Sequence, residues 1–295
     1  TYLARCQYLL QAGRSEADVC YFQGQWSPAY VPAKWAMDPP LPPGLDCDTL
    51  NAQVLTTRAA ADEEGRLLLA GRSSKPGQAG RSDDGPSYRY LVLAQGGRWQ
   101  RPPQAIFGSP SKAPLAKTSP SGSGHPLALS PAVLRKLGEL VQGGVTLIGP
   151  RPVRAIGLTD YPHCDAEVRK LADALWPTES TPTGQRKVGS GRVIWGRSID
   201  AVMQADGIFP DLEIRENAAT AGLTEETLSG IPSPGGFDWI HRKIDRADVY
   251  FIANLRNATA GGDFLFRVAR RQPELWDAVT GQIRDAAAFT QSDDG

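Results

Sequence analysis

The stretch "SPAVLRKLGELVQGGVTLIG", residues 130–149, decides the fold. Its apolar residues recur at the spacing of one helix face, which predicts an amphipathic helix over 130–144. Ser130 is a favourable N-cap, Pro131 suits the first helical position, and the glycines at 143 and 144 are typical of a helix end. The apolar run "VTLIG" (145–149) follows at once and predicts a buried strand. This order of elements is typical of a parallel sheet.

The alternation of strands and helices extends to both sides. Strands are predicted at "ADVCYF" (17–22), "GRLLLA" (65–70), "YRYLVLA" (88–94) and "GRVIWG" (191–196). Helices are predicted at "CDTLNAQVLTT" (47–57, with Asp48 as N-cap), "DAEVRKLADALW" (165–176) and "SIDAVMQADG" (198–207). Right-handed crossovers place helices on both faces of such a sheet. Residues 15–208 are therefore predicted to form a flavodoxin-like, three-layer α/β domain with a parallel sheet.

The flanking segments have a different character. Residues 1–14 contain a helix, "TYLARCQYLLQAG", whose apolar stripe needs a partner. The proline-rich segment 26–48 predicts a long loop, 95–127 a low-complexity insertion, and 209–234 a linker. Residues 235–295 contain five short strand-like runs at hairpin spacing, which predict a partial antiparallel β-sandwich. Trp195, Trp239 and Trp276 lie in strands and are expected in cores.

Composition excludes several classes of function. The 295 residues carry 32 basic and 32 acidic side chains, so we expect no nucleic-acid partner. No apolar run reaches the ~18 residues that span a bilayer, so no membrane segment is expected. The four cysteines lack the spacing of a zinc or redox site and are expected to be free, buried thiols. The length favours two domains.

No nucleophile or metal centre is apparent from the sequence. A glutamine amidotransferase needs a cysteine on a strand-to-helix turn with a histidine partner. Cys20 lies inside a predicted strand, and Cys164 follows His163 directly, so that their side chains point apart. His125, His163 and His241 are too few and too scattered for a histidine metal site.

The acids and the aromatic residues leave two interpretations open. Most acids fall on predicted helix surfaces or in turns, and Glu274 and Asp277 flank Trp276; those on helix surfaces or near turns include Glu139, Asp165, Glu167, Asp173 and Asp211. No catalytic pair can be assigned, and the catalytic residues stay unknown. Trp26, Trp35 and Trp99 lie in or beside loops near the carboxyl ends of strands, where they either stack on sugar or anchor the loops.

Several motifs, taken together and in order, resemble the α-L-rhamnosidase glycoside hydrolases of family 106. They are "YLARCQYLLQAGRSEADVCYF" (2–22), "LSPAVLRKLGELVQGGVTLIGPRP" (129–152), "YPHCDAEVRKLADALW" (161–176), "WIHRKIDRADVYFIANL" (239–255) and "FRVARRQPELWDAVTGQIR" (266–284). The resemblance covers nearly the whole chain except the insertions at 72–87 and 95–127. "PELWD" with "TG" is the least specific piece, since other large glycosidases share it.

The resemblance implies that the chain is the C-terminal portion of a longer enzyme. The family's (β/α)₈ barrel would precede Thr1 and hold the catalytic acid and base and a calcium-assisted sugar site. Residues 1–14 would be the closing helix of that barrel, 15–208 an amidotransferase-like domain without its nucleophile, and 235–295 the start of a sandwich. We expect no cofactor in this portion, a rhamnose-containing glycan as the partner of the whole enzyme, and an extracellular or periplasmic location.

Two further hypotheses remain beside a non-catalytic part of a rhamnosidase. The chain would act as a carbohydrate-binding or scaffold module if Trp26 and Trp35 stack on sugar. A working amidotransferase would require Cys164 as its nucleophile.

Overall fold

A computed structural model describes residues 1–25, 31–71, 85–94, 127–178, 181–216, 236–256 and 258–291. Trp26, Trp99 and His125 lie outside these ranges, as does almost all of the predicted insertion at 95–127. Two units are distinguished by their internal contacts. The layered unit comprises Ala17–Pro42 and Asp46–Gly207, and the hairpin unit comprises Thr1–Glu16, Pro43–Leu45 and Ile208–Gly295.

The described residues form helices and strands with the following bounds. The helices are α1 (Tyr2–Gln11), α2 (Ala52–Arg58), α3 (Pro131–Gln142), α4 (His163–Leu175) and α5 (Ile199–Ala205), and a 3-10 turn spans Lys34–Ala36. The strands are β1 (Arg14–Ser15), β2 (Val19–Phe22), β3 (Cys47–Leu50), β4 (Ala59–Ala61), β5 (Leu67–Leu69), β6 (Ser87–Tyr88), β7 (Tyr90–Leu93), β8 (Thr146–Ile148), β9 (Gly184–Val188), β10 (Gly191–Trp195), β11 (Leu212–Glu216), β12 (Phe237–Ile244), β13 (Ala247–Asn254), β14 (Gly262–Phe266), β15 (Glu274–Trp276) and β16 (Ile283–Asp285).

The layered unit is built on a six-stranded sheet with the order β3-β2-β7-β8-β10-β9. Its first five strands are parallel, and β9 runs antiparallel to β10 at the edge. Leu147 of β8 lies opposite Leu91 on one side and Val193 on the other. The predicted α/β class with a parallel sheet is confirmed. Numbered along the chain, the five parallel strands have the spatial order 2-1-3-4-5.

Helix α3 covers one face of this sheet. The Ser130 hydroxyl accepts a hydrogen bond from the Val133 N–H at 3.4 Å, and Pro131 begins the helix, as predicted. The five apolar side chains of the predicted stripe are all buried: Val133, Leu134, Leu137, Leu140 and Val141. They share a core with side chains of α2 and α4, including Leu55 and Val168. The helices α2, α3 and α4 thus form one layer.

Helix α5 is anchored to strands β7 and β10 of the sheet. Ser198 caps it by accepting a hydrogen bond from the Ala201 N–H, and Ile199, Val202 and Met203 are buried. Asp206, directly after the helix, accepts a hydrogen bond from the Tyr90 hydroxyl at 2.8 Å and pairs with Arg192. These polar contacts fix the end of α5 against β7 and β10.

Two predictions for the layered unit were wrong in detail, and one strand was not predicted. Residues 47–50 form strand β3, so Asp48 does not cap a helix; Asn51 does, accepting from the Val54 N–H at 2.9 Å. The strand in "GRLLLA" lies in a separate antiparallel sheet, β4-β5-β6. Strand β9 was not predicted, because its side chains from Gln185 to Lys187 are exposed and an edge strand needs no apolar pattern.

The hairpin unit contains small antiparallel sheets in its described part. Strands β1, β12 and β13 form one sheet, β11 pairs with β14, and β15 pairs with β16. The long hairpin β12–β13 pairs Phe237 with Asn254 at one end and Ile244 with Ala247 at the other. Strand β11 lies in the segment 209–234 that was predicted to be a linker. It was not recognised because the alternation in "LEIRE" is short and polar.

We predict that Leu137→Ala lowers the free energy of unfolding of the layered unit by about 2–5 kcal/mol, because Leu137 is fully buried at the centre of the α3 stripe. Urea titration followed by far-ultraviolet circular dichroism measures the loss. The matched control is Leu158→Ala, since Leu158 is 83% exposed. It should change stability by no more than about 0.5 kcal/mol. Equal losses in the two variants would contradict this account of the core.

Candidate functional site

A buried charged cluster lies beside the β12–β13 hairpin of the hairpin unit. His241 of β12 pairs directly across with Tyr250 of β13, and their rings stack at 4.1 Å. The imidazole Nδ1 lies 2.9 Å from Asp211 Oδ2, and Nε2 lies 3.2 Å from Asp248 Oδ1. Asp211 immediately precedes β11, so two strands and the residue before a third supply the cluster. We call Asp211, His241, Asp248 and Tyr250 the histidine cluster.

Both oxygens of the Asp211 carboxylate have hydrogen-bond partners within the protein. Oδ2 faces His241, and Oδ1 accepts a hydrogen bond from the Tyr250 hydroxyl at 2.9 Å. Arg267 Nη2 lies 3.6 Å from Oδ1. Asp211 is only 5% exposed and His241 only 7%. A buried carboxylate with these partners is held in place and is closed to a substrate.

The cluster favours the protonated form of His241. Burial by itself lowers the pKa of His241, but hydrogen bonds and charges from Asp211 and then Asp248 outweigh it, and the pKa is raised above the usual histidine value. Burial, followed by the charge of Asp211, also raises the pKa of Tyr250, which therefore stays a neutral donor. The cluster is a buried imidazole ring between two carboxylates, with Lys243 and Arg271 at the rim of Asp248.

We predict a pH-dependent loss of stability on His241→Gln. A histidine whose pKa is raised on folding stabilises the folded state below its unfolded pKa of about 6.5, and that stabilisation is lost as pH rises through the folded pKa. The substitution should therefore lower the free energy of unfolding more at pH 5.5 than at pH 9. At pH 5.5 the free energy of unfolding should fall by about 3–5 kcal/mol, since Asp211 and Asp248 lose a buried partner.

Urea titration with pulsed hydrogen exchange and mass spectrometry of the 237–254 peptide reports this unit specifically. His163→Gln is the matched control, because His163 is exposed at the start of α4. It should leave the pH profile unchanged. A His241→Gln loss that is equal at both pH values would rule out a protonated His241.

The other acids on predicted helix surfaces or near turns each have a partner of their own and do not contact one another. Three pair with basic side chains and one caps a backbone group: Glu139 with Lys136, Glu167 with Arg135, Asp173 with Arg151, and Asp165 with the Ala155 N–H at 2.7 Å. The structure brings only Asp211, of this set, into a cluster. Sequence analysis did not single out Asp248 or Tyr250, whose partner Asp211 lies more than 30 residues away along the chain.

The sequence also did not indicate the buried contacts of two nearby acids, Asp46 and Asp48. Asp46 is buried, binds the Lys34 ammonium at 3.0 Å and accepts from the Cys47 N–H at 2.8 Å. Burial raises the pKa of Asp46, although Lys34 opposes that rise. Asp48 accepts from the Tyr88 hydroxyl at 2.8 Å. Each carboxylate is thus tied to its own partner in the layered unit.

The cysteines do not form a nucleophile site in the described residues. Burial raises the pKa of Cys20, and it raises that of Cys47 to about 12, so both thiols are unreactive at neutral pH. Cys164 is buried in the first turn of α4, where a loop had been expected, and His163 beside it is exposed. Neighbouring helix residues point in different directions, so these two side chains do not form a pair.

The tryptophans are placed differently from the sequence interpretation. Trp35 is half-buried in the 3-10 turn, and its indole N–H is buried without a hydrogen-bond partner among the described residues. Trp239 is buried, as predicted. Trp195 is partly buried and donates to the Thr181 carbonyl at 3.0 Å. Trp276 is 48% exposed, so its predicted place in a core was wrong.

One open groove lies on the layered unit. Its volume is about 230 Å³, and its lining includes Thr146, Lys187 and Arg192. It lies where β8 and β10 begin, whereas open α/β sheets bind ligands beyond the carboxyl ends of their strands. It is also smaller than the ~300–1,000 Å³ of typical ligand pockets. The groove therefore does not define a site.

The described residues contain no group of three histidine, cysteine, aspartate or glutamate side chains that could hold a metal ion. Nor does any described helix have the length and apolar character needed to cross a bilayer.

Comparison with known proteins gives consistent matches. The model of glycoside hydrolase family 106, described as alpha-L-rhamnosidase, matches residues 1–77 and 124–291. A solved rhamnosidase from Novosphingobium sp. PP1Y is similar over 96% of this chain, with a TM-score of 0.63 and 27% identity. A putative beta-glucuronidase of Formosa agariphila is 27% identical over 294 residues. The chain covers 21% of the former and 19% of the latter, about a fifth of each.

Proposed function

The chain belongs to glycoside hydrolase family 106, the alpha-L-rhamnosidases, and we propose that it is a non-catalytic, supporting part of an enzyme that hydrolyses terminal α-L-rhamnosyl linkages. In this proposal the acid and base lie in another part of the longer polypeptide, and hydrolysis inverts the anomeric centre with water attacking opposite a protonated leaving oxygen.

The arrangement of the carboxylates carries the proposal. A glycosidase places two carboxyls roughly 5–9.5 Å apart across a cleft that admits sugar and water. In the histidine cluster, the space between Asp211 and Asp248 is filled by the His241 ring. Asp46 is held by Lys34, and Asp48 by Tyr88. Each of these four acids is thus bound to a partner within the protein, as expected of acids that stabilise a fold.

The layered unit supports the finer assignment of an amidotransferase-like domain that lacks its nucleophile. The order 2-1-3-4-5 is that of flavodoxin-like sheets, whose ligand site lies where the order reverses, here between β2 and β7. These strands end at Phe22 and Leu93 and are followed by Gln23 and Ala94. Neither residue is a nucleophile. We infer that the small sheets of the hairpin unit begin a β-sandwich.

Helix α1 supports the expected role of residues 1–14 as the closing helix of a barrel. Leu3 is 76% exposed and Tyr8 62% exposed. Both are large apolar side chains, and exposing them on one short helix is unfavourable unless another surface covers them. A barrel supplied by the longer polypeptide would provide that surface.

The substrate class follows from the family and from one solved relative. Both the family description and the Novosphingobium structure name a rhamnosidase. The Formosa relative has the name of a different glycosidase. Agreement between the family and the structural relative favours rhamnosyl linkages for the whole enzyme.

We predict that the 295-residue chain alone releases no product from an aryl α-L-rhamnoside above a buffer blank. The assay follows aryl alcohol release, with the Novosphingobium rhamnosidase as the positive control. Circular dichroism must first show that the chain is folded, so that inactivity is not due to unfolding. Saturable release by the folded chain would overturn a non-catalytic role.

A carbohydrate-binding role is the second candidate, and the exposure of Trp276 favours it. Sugar-binding surfaces present aromatic rings to solvent, whereas the tryptophans named for this role from the sequence are half-buried (Trp35) or outside the described residues (Trp26). The two functions are compatible in one polypeptide.

A further inference from the structure

Strand β13 forms one edge of the sheet β1-β12-β13. It pairs with β12 along one side over its whole length, and its other side faces away from the sheet. The strand has eight residues, whereas the edge strands β3 and β9 of the six-stranded sheet have four and five. The outer side of β13 is therefore the longest of these three backbone edges.

The register of the hairpin shows which β13 backbone groups point outward. A two-residue turn, Asp245–Arg246, joins the strands, and the pair of residues that flanks such a turn is hydrogen-bonded. Hydrogen-bonded and non-bonded pairs alternate from there. Beyond the far end of the hairpin the Leu255 N–H donates to the Gly236 carbonyl at 2.8 Å, as this alternation requires. The residues whose backbone groups point away from β12 are Asp248, Tyr250 and Ile252.

These outward groups have no hydrogen-bond partner in the part of the chain that the structure describes. No other described strand pairs with β13, and no described loop bonds to the backbone of Asp248, Tyr250 or Ile252. The three residues present their N–H and C=O groups along one line. Such a row is a template for the backbone of an added strand.

The edge also lacks the features by which proteins block strand pairing. Protected edges carry lysines, prolines or bulges. Strand β9 follows this rule, since Arg186 and Lys187 are exposed on it. Strand β13, "ADVYFIAN", has no basic residue and no proline, and its register with β12 runs without a bulge. Its one charged side chain, Asp248, lies 3.2 Å from His241 in the histidine cluster.

We propose that β13 is a self-association edge, at which a second copy of the chain adds its own β13 antiparallel to the first. In the register proposed, a twofold axis passes through Tyr250, and Asp248 lies opposite Ile252 of the second copy. All three outward residues then belong to hydrogen-bonded pairs, each of which exchanges both backbone bonds. The two three-stranded sheets become one continuous sheet.

The side chains of β13 complement one another in this register. Val249 lies opposite Phe251 of the second copy, and pairs of an aromatic and a β-branched residue stabilise neighbouring strands. Asp248 faces an apolar residue. A register centred on Asp248 would instead place two carboxylates directly opposite each other, which is destabilising. The strand thus has one register in which its own sequence is a favourable partner, and this favours a second copy over an unrelated strand.

Sedimentation equilibrium of the 295-residue chain tests the proposal. A short strand edge gives a small interface, so we expect a reversible monomer–dimer equilibrium at chain concentrations up to about 500 μM. Ile252→Pro should weaken dimerisation at least about tenfold, because proline removes an outward N–H of the interface and leaves the bonds to β12 in place. Circular dichroism and hydrogen exchange of the 237–254 peptide check that this variant is folded.

Two charge variants of Ile252 test the register without changing the backbone. Ile252→Asp places a carboxylate opposite Asp248 of the second copy and should abolish the dimer. Ile252→Lys loses the same apolar side chain but places an ammonium group there, so it should weaken dimerisation less. This pair of variants decides the question if Ile252→Pro unfolds. Equal weakening by the two charges would contradict the proposed pairing.

Amide-resolved hydrogen exchange locates the interface on the strand. Raising the chain concentration should slow exchange at Tyr250 and Ile252, and it should not affect Val249 and Phe251, whose N–H groups bond to β12. Three results would overturn the proposal: a chain that stays monomeric throughout this range, a dimer without the alternating protection, or a folded Ile252→Pro variant that dimerises as well as the parent. The first is the result expected if a strand of the longer polypeptide is the true occupant of the edge.

Discussion

The burial of the α3 stripe is the interaction on which the layered unit depends. Five apolar side chains of one helix share a core with α2, with α4 and with the central strands of the sheet. Two of these partners are short: α2 has seven residues and β8 only three. Elements of this length are not stable alone in water. They persist because α3 gives them a common apolar surface, and its capped start at Ser130 fixes where that surface begins.

A second constraint, that buried charge must be paired, determines what the acids can do. Asp211, Asp46 and Asp18 are all buried, and each has a basic or histidine partner: His241, Lys34 and Arg89. Such pairs contribute little net stability but are expensive to break. A catalytic acid or base needs the opposite arrangement, with an oxygen left free for the reacting group. These three buried acids are thus used to hold parts of the fold together.

The sequence predicted those features that a single element determines. The α3 stripe and its cap, strand β2 and the helix α5 each have a local apolar period or a capping residue, and the structure confirms them. Strand β9 could not be predicted, because "GQRKV" lies at a sheet edge with exposed side chains. The histidine cluster could not be predicted either. Asp211 and His241 are 30 residues apart and belong to segments of two different sheets, so no local pattern indicates their contact.

Trp276 shows why an apolar pattern cannot by itself distinguish a buried strand face from an exposed one. The alternation in "ELWDAV" is the same whether a second sheet covers the strand or water does, since period 2 specifies which residues share a face and not what lies against it. A two-stranded hairpin exposed on both faces is marginally stable. The Asp277 turn and the Arg5 contacts offset that weakness from outside the strands. Those contacts stabilise the hairpin without covering Trp276, so the order of the hairpin depends on helix α1 and not on a second sheet packed against the indole.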